Sequence, residues 1–182
     1  MNITVYLGAR AGNDPALSIA TRELGAWIGA NGHTLVYGGS ASGLMGELGR
    51  AALNAGGKVI GVEPTFFMDA GFALEGLTEL IVTEDIPQRK AKMIELGNAF
   101  IALPGGTGTL EEVSEVMSKI SLKQLSAPCI LYNLNGYYAH LKALLQLMCE
   151  TDLSFKELLQ GIYFADNLDE IIQILRSNTN IT

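Results

Sequence analysis

Seven short β-rich runs alternate with helical patterns along the chain, and this rhythm restricts the fold more than any other feature. The runs lie at 3–7, 34–37, 58–62, 79–83, 99–103, 129–132 and 162–164. The helical patterns lie at 15–30, 44–55, 88–97, 109–121, 137–149 and 168–176. Strands separated by helices form parallel β-α-β units, with helices on both faces of one sheet. The expected fold is therefore α/β: a Rossmann-like doubly wound parallel sheet. The connections are short and no internal linker or repeat is visible, so residues 1–182 read as a single domain. The local punctuation agrees. Asn13-Asp14-Pro15 is a good helix start, and Asn31-Gly32 and Gly56-Gly57 are good helix stops. The polar tail 177–182 is expected to fray.

In such sheets ligands bind outside the carboxyl ends of the strands. Glycines cluster there: Gly8 after the first run, Gly38-Gly39 after the second, Gly105-Gly106 after the fifth. The three segments are expected to converge on one cleft. The strongest of them is Pro104-Gly105-Gly106-Thr107-Gly108-Thr109-Leu110-Glu111-Glu112, between the apolar run 99–103 and a helix. A glycine-rich turn lets the backbone approach a ligand, and the unpaired N–H groups of the helix start favour an anion such as phosphate. Glu112 sets a carboxylate beside that phosphate, which a simple phosphate clamp would avoid. The pairing points to chemistry on a phosphorylated substrate.

Two familiar nucleotide motifs are excluded. Gly106-Thr107-Gly108-Thr109-Leu110-Glu111 has Glu where a dinucleotide fingerprint needs its third Gly or Ala, and no loop carries Gly-Lys-Ser/Thr. At roughly 100° per residue, Leu110, Val113, Met117 and Ile120 share an apolar face. Glu111 points nearly opposite that face, as a solvated charge, whereas Glu112 flanks it on the side of Thr109. Glu112 is the better candidate for the cleft, although both acids also suit a helix amino end. Arg89-Lys90 opens a helix one element earlier. Two adjacent cations can hold a phosphate or a developing negative charge, and the plain alternative is a solvated surface pair. Met93 belongs to the core or to a pocket wall. The turn 38–46 can wrap a ribose or phosphate, or simply join strand to helix.

The remaining chemistry is bland. His33 and His140 have no metal or nucleophile partner at useful spacing, so no metal is expected. Cys129 and Cys149 read as buried reduced thiols. The net charge of −7 argues against a nucleic-acid partner but allows a local cationic pocket. The beginning of the chain lacks a signal-peptide pattern and no apolar run is long enough for a membrane span, so a cytoplasmic protein with no membrane partner is expected.

Taken together, Tyr37-Gly38-Gly39, Gly43-Leu44-Met45-Gly46, the run 56–62, Arg89-Lys90, the Pro-Gly-Gly-x-Gly-Thr-x-x-Glu motif ending at Glu112, and Asn135-Gly136-Tyr137-Tyr138 resemble the Lonely guy (LOG) family. The resemblance runs from about residue 3 to the last helix in unbroken order. It implies a phosphoribohydrolase that releases the free base and ribose 5-phosphate from a purine riboside 5′-monophosphate, either a cytokinin nucleotide or AMP. By resemblance Arg89 and Glu112 occupy the catalytic positions, and Gly105, Gly106, Thr107, Gly108 and Thr109 form the phosphate loop. Gly8, Gly39, Ser40, Met45, Lys90 and Ser118 complete the substrate-binding set. The resemblance also implies a homodimer whose partner chain helps to form the site, and no cofactor. An older label for the family is lysine decarboxylase, but the sequence offers no evident pyridoxal phosphate site.

The chain departs from the family pattern in several places. Gly8-Ala9-Arg10 replaces Gly-Ser-Ser, Ser40 replaces a third glycine and Asn98 replaces an acid. The stretch 118–123 replaces Thr-Trp-x-Gln-Leu-Gly, and 66–76 lacks the acidic pattern of plant members. These differences are expected to touch the base pocket and dimer face, with Arg10 an added cation near the cleft or a surface arginine. Two rivals stay open: a non-catalytic nucleotide or cofactor carrier on the same scaffold, which has no clear use for Glu112, and a dinucleotide oxidoreductase, which the missing fingerprint disfavours.

Overall fold

The structure is a computed structural model that describes residues 1–68 and 73–179. Seven parallel strands form one sheet: β1 (Asn2–Tyr6), β2 (Thr34–Tyr37), β3 (Lys58–Pro64), β4 (Glu79–Thr83), β5 (Ala99–Ala102), β6 (Cys129–Tyr132) and β7 (Ile162–Ala165). Their spatial order is β4-β3-β2-β1-β5-β6-β7. The chain winds outward from β1 to β4, then crosses back to lay β5 on the other side of β1. Ile3 pairs in register with Leu35 of β2 and with Ala99 of β5. The winding therefore reverses between β1 and β5, where their carboxyl ends open a crevice.

The helices are α1 (Pro15–Ala30), α2 (Gly43–Asn54), α3 (Thr65–Met68), α4 (Ile86–Leu96), α5 (Thr107–Ser121), α6 (Ala139–Glu150) and α7 (Leu168–Thr179). They cover both sheet faces. On one face Ile3, Val5 and Leu35 pack with Leu24 and Ile28 of α1, Leu48 of α2 and Ile171 of α7. On the other, Tyr6, Val36, Phe100 and Leu131 pack with Met93 of α4 and Val113, Val116 and Ile120 of α5. Strands buried on both sides explain why the runs read as continuous apolar stretches rather than as alternation.

Caps fix where the helices begin. The Asp14 side chain accepts from the Ala16 N–H at 2.9 Å, with Pro15 in the first turn. Asp85 accepts from the Gln88 N–H at 2.8 Å, so α4 begins at Ile86 rather than at 88. Helix α5 starts two residues before the expected 109, and its cap is Gly106. Helix α7 spans Leu168–Thr179 and so includes 177–179; residues 180–182 of the expected tail lie outside the described residues. The short α3 has no counterpart in the sequence pattern. Of the departure at 66–76, residues 69–72 also lie outside the described residues. Cys129 is buried and Cys149 half-buried, and both are free thiols. Among the described residues no helix is long and apolar enough to cross a membrane, and no cluster of side chains has the make-up of a metal site.

Candidate active site

The crevice between β1 and β5 holds a cavity of about 720 Å³. Its floor is the turn into α5. Gly106 caps this helix with extended backbone and no side chain closes the cap, so the first-turn amides are left for a guest. Gly105, Gly106, Thr107, Gly108 and Thr109 all line the cavity, as does Gly8 at the end of β1. The floor is braced from behind. Tyr138 donates its hydroxyl to the Leu103 carbonyl at 2.7 Å, and Tyr137 donates to the Gly105 carbonyl at 2.5 Å. The turn that carries these tyrosines is itself tied down, because Asn135 Nδ2 donates to Asp14 Oδ2 at 2.8 Å.

Arg89 and Glu112 meet on the cavity wall. Arg89 Nη1 lies 2.8 Å from Glu112 Oε1, with the two side chains only 13% and 11% exposed. Arg89 Nε donates to the Val62 carbonyl at 2.9 Å, which anchors the guanidinium to the end of β3. Gly38 leaves room for it, because a Cβ there would crowd Arg89 Nη2 and push the guanidinium aside. Burial pushes the Glu112 carboxyl above the usual carboxylate range, and the adjacent Arg89 opposes that shift. Met45 lines the cavity as well.

Four residues of the expected binding set do not line this cavity. Lys90 turns away from it: its Nζ lies 2.6 Å from Glu111 Oε1 and 3.2 Å from Glu115 Oε2. Glu111 is thus exposed yet paired. Ser40 is consumed by its own turn, where its Oγ accepts from the Ser42 N–H at 3.1 Å. Gly39 lies under Glu63, and Ser118 sits exposed on α5. Of the three glycine clusters, the first and third converge on the cavity, whereas Gly38-Gly39 stands behind Arg89. Met93 is core, at 1% exposure. Leu110 departs from the apolar face assigned to it and is 45% exposed. Asn98 lies at the opposite end of the sheet, where its Oδ1 accepts from the Asn2 N–H, so that departure does not touch the cavity.

Arg10 lines the cavity mouth and has no hydrogen-bond or ion-pair partner among the described residues. Sequence reasoning gave no part in the site to Asn13, Asp14 and Leu134, which also line the cavity. Their signal was the position of both turns at carboxyl ends of central strands. No lysine stands among the described lining residues, so the site offers pyridoxal phosphate no amine to hold it.

A protein-family model described as "Possible lysine decarboxylase" matches residues 45–175. The chain is 47% identical over 138 residues to the cytokinin riboside 5′-monophosphate phosphoribohydrolase of Rhodococcoides fascians, covering 75% of this chain and 70% of that protein. It is 35% identical over 170 residues to an Oryza sativa subsp. japonica protein named "Probable cytokinin riboside 5'-monophosphate phosphoribohydrolase LOG4", covering 93% and 74%. Among solved structures, the molybdenum cofactor carrier protein of Chlamydomonas reinhardtii superposes with a TM-score of 0.75 at 21% identity, covering 98% of each chain. At that identity the likeness concerns the fold alone.

Proposed function

This chain belongs to the LOG family, the family of the matching model, and from that premise we propose that it hydrolyses the N-glycosidic bond of an adenine-type riboside 5′-monophosphate. Water adds to C1′ of the ribose and the C1′–N bond breaks. The products are ribose 5-phosphate and the free base, which takes up a proton. The observation that carries this reading is the Arg89–Glu112 pair, which lines the same cavity as the open amino end of α5.

The first-turn amides of α5 take the 5′-phosphate, with help from the unpaired cation of Arg10. Glycosidic cleavage passes through a cation-like sugar. A carboxylate at the wall stabilises that charge or orients the attacking water, and this is the role of Glu112. Arg89 stays protonated and cannot act as a base. It holds Glu112 in place and stabilises negative charge on the departing base. Phosphate binding positions the ribose, so a nucleoside without phosphate reacts poorly. Lys90, Ser40, Gly39 and Ser118 have no direct part in this single-chain site.

The same reading includes a cytoplasmic homodimer. Leu110 stands exposed on the helix that carries Glu112, and Leu122 at its far end is 64% exposed, which suits a second copy packed along α5. Light scattering on the purified chain gives the mass that tests it.

The decisive experiment is chromatographic detection of free base from AMP and from isopentenyladenosine monophosphate, with Glu112→Ala run in parallel. Base released by the wild type and lost in the variant is expected, and the faster substrate reports the base pocket. Nucleotide retained without base release would instead favour a carrier.

A further inference from the structure

Glu63 is the one charged side chain among the described residues that is fully buried, at 1% exposure, and the mechanism above leaves it idle. It sits near the end of β3, and its Oε2 has no hydrogen-bond partner. Burying a carboxylate in this way opposes folding. The surroundings are nevertheless shaped to hold it. Gly39 has a φ of +81°, and a Cβ there would lie 2.7 Å from Glu63 Cγ. Any side chain at position 39 would close the slot that Glu63 fills.

Its neighbour in the fold is Arg89. The guanidinium is anchored on the carbonyl of Val62, the residue just before Glu63, and it lies over Gly38, the residue just before Gly39. Arg89 spends Nε on Val62 and Nη1 on Glu112, while Nη2 donates no hydrogen bond among the described residues. The Arg89 guanidinium, with an unused donor, and the Glu63 side chain, with an unpartnered carboxylate oxygen, therefore stand over consecutive glycines. The charged group that acts on Glu63 is Arg89 from α4; Glu63 in turn adds to the burial that raises the Tyr37 hydroxyl of β2, and Arg50 of α2 opposes that rise. Burial raises the Glu63 carboxyl and Arg89 opposes the rise.

We propose that Glu63 is a positioning residue that gives Arg89 a second carboxylate, so that the guanidinium can pivot about its Val62 anchor from Glu112 toward Glu63. The pivot frees Glu112 to turn its charge on the ribose. This last consequence rests on the hydrolase reading; the two-carboxylate arrangement does not. A carboxylate tied to an arginine is a weak partner for a developing cation, because its charge is already compensated. Moving Arg89 by one hydrogen bond removes that compensation without expelling the arginine from the wall.

The test uses carboxyl carbon NMR of glutamate-labelled protein, with the Glu63 resonance assigned by Glu63→Gln. It is titrated in the wild type and in Glu112→Gln. Removing the charge of Glu112 releases Arg89 to Glu63, so the Glu63 titration moves down by about one pH unit or more. An unchanged titration would overturn the proposal, whether or not the protein turns over any nucleotide. Stability and turnover give the second arm. Because burial raises its pKa, Glu63 contributes stability that is present below the unfolded-state value and lost as pH rises through the folded one. Glu63→Gln and Glu63→Leu therefore raise the Tm at pH 7, and the gain disappears near pH 4. In the same variants kcat falls about tenfold or more while KM stays within about twofold. A Glu63→Leu protein that folds and keeps the wild-type kcat would sink the catalytic half. A wild type that releases no base would fault the hydrolase reading, while the titration of Glu63 would still decide whether Arg89 moves between the two carboxylates.

Discussion

Glu112 shows how one residue can be tuned by its burial and its partner together. Its side chain is 11% exposed, so desolvation raises its carboxyl while Arg89 supports the ionised form. The role proposed for Glu112 needs that ionised form. The acid limb of the kcat profile should therefore lie above the ordinary glutamate value of about 4.3. Glu112→Gln keeps the size and removes both the charge and the titration. Its kcat should fall by about 100-fold or more, and the residual activity should lose that limb. A pH series on both proteins checks this; a limb that persists unchanged in the variant belongs to another group. Glu112 was legible in the sequence because a helix has a fixed angular step and the loop before it marks the cavity side. Glu63 was not. An acid late in an apolar run reads as a strand end reaching solvent, and nothing in the sequence shows that the Gly38-Gly39 turn folds over it.

At the scale of elements, the strand-helix rhythm was readable because parallel strands are buried on both faces and helices on one. Element order and type follow from that contrast in period. Boundaries were less readable because they depend on caps and packing. Helix α5 begins at Thr107 because a bare glycine can cap it, which the periodicity of its apolar face does not register. Leu110 fits that periodicity and still faces outward, because a helix angle cannot show where the neighbouring strands end. The brace beneath the glycine loop comes from another element, the turn after β6. Tyr138 is 5% exposed and spends its hydroxyl on the carbonyl of the fully buried Leu103. Tyr138→Phe keeps the ring and removes the donor. It should cost about 1–3 kcal/mol by urea denaturation, and KM for the nucleotide should rise as the loop loosens. A stable variant with unchanged KM would show that the loop needs no support from this turn.

Over the whole molecule, the charge works against the function assigned to the cavity. The chain carries a net charge of −7, and the substrate is itself an anion. Attraction must therefore be local, because the summed field repels phosphate at a distance. Arg89 is compensated by Glu112, and Asp14 at the mouth is bound to Asn135. This leaves Arg10 and the amino end of α5 to draw the phosphate in. Arg10 is exposed, so its contribution is screened by salt, with a Debye length of about 10 Å at 0.1 M. The repulsion from the rest of the surface is screened as well. In the wild type the two effects oppose each other. In Arg10→Ala only the repulsion and the fixed helix amides remain. With Arg10 in its proposed role of binding phosphate away from the glycosidic bond, the variant should show a higher KM at low ionic strength with little change in kcat. Added potassium chloride should then narrow the gap in KM between the two proteins. Steady-state kinetics at two salt concentrations measure this directly. A gap that stays constant or widens with salt would mean that Arg10 acts on the shape of the loop rather than through its charge.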